Sequence, residues 1–64
     1  MRLHEKCNRK RYCIFAKRVG GKSWTEWAQT DNKVFSMEQV NKIRELGFLA
    51  KLFDRKKKKV LISD

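Results

Sequence analysis

Proline is absent from this chain, glycine occurs three times and histidine once. Without proline, and with so little glycine, the chain is neither a linker nor a low-complexity tail. The single histidine, His4, leaves no second imidazole to serve a serine or cysteine nucleophile. Glu26, Asp31, Glu38 and Glu45 are spread over separate segments, so no carboxylate pair is singled out for acid–base work. The chain is expected not to be an enzyme and to carry no cofactor. Long apolar runs are also missing. The longest after the basic N-terminal stretch is Cys13-Ile14-Phe15-Ala16. That is far short of the ~7–15 residues of a secretory h-region and of the ~20 needed to span a bilayer. The expectation is a cytoplasmic protein whose two cysteines are reduced.

Acidic residues are scarce as well: 7 Asp and Glu stand against 17 Lys and Arg in 64 residues, a net charge of +10. Such a balance repels cations and attracts polyanions, whether nucleic acid, acidic lipid or an acidic protein face. A chain of this length forms one domain at most and buries only about 60% of the surface its unfolded form exposes. That leaves no room for a deep catalytic pocket beside a core. Two Trp, four Phe and one Tyr still suffice to seed a small core.

One segment carries a complete set of helix signals, residues 36–47. Ser36 can accept from free N–H groups of a first turn, and Gln39 is spaced to complete a capping box. Glu38 suits the positive end of the helix dipole, with Lys42 and Arg44 toward the negative end. Met37, Val40, Ile43 and Leu46 form a narrow apolar stripe, and Gly47 can end the helix in a left-handed conformation. Phe35, just ahead of the cap, is placed to staple onto Val40.

Before this helix, residues 1–11 read as a loosely ordered basic arm, with a short uncapped helix over 3–9 as an option. Residues 12–19 favour a strand through Tyr12, Ile14, Phe15 and Val19. Gly20 and Gly21 make a turn, and residues 23–29 form a second strand. Strict alternation there puts Trp24, Glu26 and Ala28 on one face and Ser23, Thr25 and Trp27 on the other. Thr30-Asp31-Asn32-Lys33 reads as a turn, with a short third strand over 33–35. After Gly47, residues 48–53 and 60–62 form a hairpin. Arg55, Lys56, Lys57, Lys58 and Lys59 lie at or beside its tip. Phe48, Ala50 and Leu52 share one face, which Val60 and Ile62 can join. A helix continuing through Leu49, Leu52 and Phe53 is the rival, opposed by Gly47. The expected fold is α+β: a small antiparallel sheet in the order β-β-(β)-α-β-β, with one helix packed on one face. The other face is expected to be left to solvent or a partner.

Two chemical motifs fall away on inspection. Gly20-Gly21-Lys22-Ser23 resembles the end of a phosphate-binding loop but lacks the upstream glycine and the following helix. His4, Cys7 and Cys13 supply three possible metal ligands where a structural zinc site takes four. Cys13 then reads as a buried strand residue and Cys7 as a free thiol, with no metal bound. The basic clusters remain. Arg9, Lys10 and Arg11, then Lys17, Arg18 and Lys22, and finally residues 55–59 can neutralise phosphates without reading sequence. Trp24 or Trp27, whichever is exposed, or Tyr12, can stack on an unpaired base.

The succession Tyr12 to Lys17, Gly20 to Trp24, and Val34 to Val40 resembles small accessory proteins of bacteriophages. In those an aromatic-rich strand, a glycine turn, a Trp strand and a Phe-led helix follow in this order. The same segment is similar to the arm-binding domains of tyrosine integrases, a three-stranded sheet backed by a helix. That resemblance implies DNA binding through the sheet face. Each covers about half the chain, and neither transfers a functional residue.

The leading expectation is a non-enzymatic phage or mobile-element protein acting in the host cytoplasm. It would bind DNA or RNA with little sequence specificity through Arg9, Lys10, Arg11, Lys17, Arg18, Lys22, Arg55, Lys56, Lys57, Lys58 and Lys59, with Trp24 or Trp27 stacking. The alternative is a phage-encoded inhibitor of a host protein, a defence nuclease or a protein–nucleic-acid complex, in the manner of anti-CRISPR proteins. A sponge for an anionic nucleotide is a third possibility. It requires a concave basic pocket. Membrane binding is not expected, because the one helix has a narrow apolar stripe and a polar face of mixed charge. Oligomeric state is not encoded in any motif.

Overall fold

A computed structural model describes Cys7 and residues 9–64. The chain runs β1 (Tyr12–Lys17), β2 (Thr25–Thr30), α1 (Lys33–Glu45), β3 (Leu49–Asp54) and β4 (Lys59–Ser63). The strands form one antiparallel sheet in the order β2-β1-β3-β4, with α1 across β1, β2 and β3. The expected α+β fold is the observed one, and no strand forms over 33–35. The molecule is a slab of 29 × 28 × 15 Å. Among the described residues no helix is long and apolar enough to cross a membrane.

The central strand β1 is buried on both sides. Tyr12, Ile14 and Ala16 face the helix and pack with Val40, Ile43, Ala50 and Leu52. Cys13 and Phe15 face the other way, into a second cluster with Cys7, Phe53, Trp24 and Val60. The face opposite the helix is therefore not simply left to solvent. Its centre is sealed, with Phe15 fully buried. Glu26 and Lys51 flank Phe15 on that face from the neighbouring strands.

The helix starts three residues before the expected cap. Asn32, not Ser36, is the N-cap, and its side-chain oxygen accepts from Phe35 N at 3.0 Å. Thr30 Oγ1 in turn accepts from Asn32 N. Ser36 lies inside the helix, fully buried, and donates to the Lys33 carbonyl at 2.6 Å. The earlier start moves Phe35 into the first turn, where it is exposed instead of stapling Val40, and leaves no acidic residue there. The buried positions are Ser36, Val40 and Ile43, while Leu46 has turned outward at the C-cap. Gly47 has φ of 85°, as its place after the helix requires.

Both edge strands carry a bulge. In β2 the pairing steps from Ala28 opposite Ile14 to Glu26 opposite Phe15, so Trp27 is the extra residue. In β4 it steps from Ile62 opposite Leu52 to Val60 opposite Phe53, so Leu61 is extra. A bulge breaks the two-residue period, bends the strand and re-aims a side chain. Leu61 and Ile62 thus both pack on the helix side, and Val60 goes to the other cluster. Strict alternation had placed Val60 with Ile62, and Ala28 apart from Trp27. The structure corrects both.

Cys7 and Cys13 are joined in a disulfide with Cα atoms 5.8 Å apart. This overturns the expectation of reduced thiols, which rested on the shortness of the apolar runs and not on the path of the chain. Residues 9–11 bend, and this bend carries Cys7 back beneath β1. Gln29 Oε1 accepts from the amides of Arg9 and Lys10, and Asp31 Oδ1 accepts from the amide of Arg11. The C-terminal part of the expected loose arm is therefore fixed on β2. Residues 1–6 and 8, His4 among them, lie outside the described residues, and of the optional helix over 3–9 the described Cys7 and Arg9 are not helical.

Two stability measurements follow. Asn32→Ala should cost about 1 kcal/mol in a urea titration, and Ser36→Ala should cost less because Ser36 caps nothing. Thiol titration of the unfolded, unreduced chain should find no free thiols. Reduction should lower stability by about 2 kcal/mol, the loop-closure scale for so short a ring.

Candidate functional site

The expected cationic residues divide between two ends of the sheet. The β3–β4 turn lies beside Tyr12, since Tyr12 pairs with Asp54. The β1–β2 loop, residues 18–24, follows Lys17, which pairs with Leu49. The six-residue strand between them separates these ends by about 17 Å at ~3.3 Å per residue. A single continuous patch does not form.

The arm cations are matched by carboxylates. Arg9 Nη2 lies 3.2 Å from Glu26 Oε1, and Lys10 Nζ lies 3.7 Å from Asp31 Oδ2. Both pairs are exposed and add little stability, but they cancel local charge. Arg11 donates to both oxygens of the buried Asp54, from Nε at 3.2 Å and Nη2 at 3.1 Å, and its guanidinium carbon lies 5.0 Å from the Tyr12 ring centroid. Asp54 Oδ1 also accepts from the amides of Lys56 and Lys57 at 3.0 and 3.3 Å, shaping the hairpin tip. Lys58 takes the left-handed φ of 52° that closes this turn. Arg55, Lys56, Lys57, Lys58 and Lys59 project outward, fully exposed, with no ion pair among the described residues.

The opposite end is built differently. Gly21 N donates to the Arg18 carbonyl at 2.8 Å, closing a turn whose third residue, Gly20, has φ of 80°. This turn opens a longer loop than a two-residue hairpin, so Trp24 sits in the loop and β2 begins only at Thr25. Trp24 is half-buried against the second cluster, with Lys17 Nζ at 4.9 Å and Lys51 Nζ at 5.6 Å from its ring centroid. On the helix side of the same end lies an open cleft of about 450 Å³. Lys17, Arg18, Lys22 and Ser23 line it from the loop, and Ala16, Thr25, Trp27 and Phe48 from the sheet and the start of β3. Trp27 is the more exposed indole, at 37%, and its Nε1 donates to Gln39 Oε1 of α1 at 2.9 Å. That bond holds the ring beside the cleft.

Of the cationic residues expected from sequence, Lys17, Arg18 and Lys22 meet here, together with both indoles. Lys51, Phe48 and Gln39 were missed. Lys51 had a signal, as the one charged residue within the apolar run 48–53. Gln39 had none, since its capping-box spacing pointed elsewhere. Among the described residues no group of three His, Cys, Asp or Glu side chains could hold a metal ion, and Cys7 and Cys13 are bound to each other.

Bonding to Arg11, above all, holds the Asp54 carboxyl below its ordinary value of 3.8, and the Lys57 and Lys56 amides act in the same direction against the effect of burial. Arg44 lowers Asp64 likewise. A depressed carboxyl stabilises the fold fully above its unfolded pKa, and the benefit is lost as pH falls through the folded value. The melting temperature should be nearly level from neutral pH to about 5 and fall below about 4. Asp54→Asn should lower it at neutral pH and flatten part of the acid limb, leaving the part due to Asp64.

No family model, no curated protein and no solved structure matches this chain.

Proposed function

We propose that this chain is a non-enzymatic nucleic-acid-binding protein of low sequence specificity, and that its contact surface is the β1–β2 end of the sheet. The observation that carries this reading is the sorting of charge. Arg9, Lys10, Arg11 and Arg44 face carboxylates, whereas Lys17, Arg18, Lys22 and Lys51 have no carboxylate partner among the described residues and surround two indoles. An indole ringed by cations suits phosphates with bases beside them. The exposed tip at 55–59 adds long-range attraction for the same polyanion. Mostly lysine, it makes point contacts with phosphate and lacks the bidentate forks that read guanine. The resemblance to phage accessory proteins supports a phage or mobile-element setting.

One observation favours the inhibitor reading instead. Val34 and Phe35 in the first turn of α1 are exposed at 68% and 42%, adjacent apolar side chains that suit a protein surface.

The test is binding to labelled single- and double-stranded DNA and RNA across a salt series. Log K should fall linearly with log salt, and Lys17→Ala with Lys22→Ala should reduce the slope by about 0.7 per lost contact on single strands. Binding that vanishes for all four ligands by about 0.15 M salt would overturn the proposal and leave Val34 and Phe35 at the start of α1 as the surface to pursue.

A further inference from the structure

The cleft beside Trp27 has features that a phosphate-binding surface does not need. It is concave, while charge neutralisation works on a flat or convex face. Its volume of about 450 Å³ lies within the ~300–1,000 Å³ typical of sites that enclose a small organic ligand. Its lining is also mixed. The cations Lys17, Arg18 and Lys22 share the cleft with the aromatic residues Trp27 and Phe48 and the hydroxyl-bearing residues Ser23 and Thr25. A nucleotide calls for these same three kinds of contact: an anionic phosphate, a flat apolar base face and a polar base edge.

Trp27 reaches this position only because the β2 bulge adds it to the ladder as an extra residue. Its indole N–H is already satisfied by Gln39 at 2.9 Å. The ring is therefore held by its polar edge, and part of it is left accessible at the cleft. Holding an aromatic ring in place before binding reduces the entropy lost when a ligand stacks on it.

We infer that this cleft receives one unpaired nucleotide of a nucleic-acid strand, with the base against Trp27 and its phosphate at Lys17, Arg18 and Lys22. The inference rests on the nucleic-acid reading above and narrows it. A base within a duplex is stacked and paired, and would have to leave the helix to enter a concavity. The protein should accordingly prefer single strands, or the ends and loops of folded ones, to intact duplex. The preference should not depend strongly on sequence, because every base offers a π-face. Phosphates on either side of the occupied unit would extend toward Lys51 and the remaining lysines.

The experiment compares a fifteen-residue oligothymidylate with an abasic deoxyribose-phosphate oligomer of equal length, and with free thymidine monophosphate. It uses the full chain at constant salt. A Trp24→Phe background leaves Trp27 as the sole indole. The oligothymidylate should bind about tenfold more tightly than the abasic strand, the scale of one stacked base. It should quench Trp27 emission, and the abasic strand should not. Trp27→Ala should abolish the tenfold ratio while the salt slope stays unchanged. Gln39→Ala, which frees the ring without deleting it, should weaken the ratio. Equal binding of both oligomers, with a steep salt slope and no quenching, would overturn the cleft assignment and leave the phosphate-binding proposal standing. Free monophosphate binding as tightly as the oligomer would overturn the strand and show a nucleotide receptor. No binding to any of the three would overturn both readings.

Discussion

A strand that is apolar on both faces needs cover on both, and β1 imposes this requirement on the whole molecule. Residues 12–16 are all buried, yet the described residues offer one helix. Helix α1 seals the Tyr12, Ile14 and Ala16 side through Val40 and Ile43. The other side is closed by Cys7, tied to Cys13, and by the Trp24 indole from the β1–β2 loop. Hydrophobic burial at the centre of a slab 15 Å thick thus dictates where the N-terminal segment and the longest loop must go. Both then become parts of the surface at opposite ends of the sheet.

Electrostatics follows from that placement. Of the four carboxylates in ion pairs among the described residues, Asp31 and Asp54 lie at the Tyr12 end, Glu26 sits opposite Phe15, and Asp64 accepts from the amide of Ala50, the partner of Ala16. Asp54 is buried and fully used, bonded to a guanidinium on one side and to two turn amides on the other. All four carboxylates are engaged by Arg9, Lys10, Arg11 and Arg44, which leaves Lys17, Arg18, Lys22 and Lys51 without a carboxylate partner among the described residues. A net charge of +10 spread evenly would attract polyanions everywhere weakly. Sorted in this way, it supports one preferred surface in addition to the exposed tip.

The edge bulges connect folding to the candidate site. A bulge interrupts the regular ladder that another chain would extend, and so guards an edge strand against pairing. In β4 the extra residue, Leu61, goes into the core. In β2 it is Trp27, which is held by Gln39 and left at the cleft. The same device thus serves packing at one edge and displays an aromatic ring at the other.

Local features were legible from the residues themselves. The strands expected over 12–19 and 48–53, the basic tip and the positive-φ roles of Gly20 and Gly47 depend on short-range chemistry, and each is found within a residue or two of where that chemistry puts it, at 12–17 and 49–54 for the strands. The helix start was misread because Ser36 and Gln39 have capping-box spacing, while Asn32, supported by Thr30, competes for the same role and forms the cap. Pairings between distant segments were not legible. The Cys7–Cys13 bond depends on a bend anchored by Gln29 and Asp31, and the neutralised arm depends on Glu26, Asp31 and Asp54, 17 to 43 positions away. Sequence by itself determined the fold class, the turn positions and the excess of cations, because these follow from side-chain volume, backbone freedom and composition. Tertiary structure alone decided which cations remain unpaired and which indole faces solvent. Both depend on strand register, and each edge-strand bulge shifts that register by one residue.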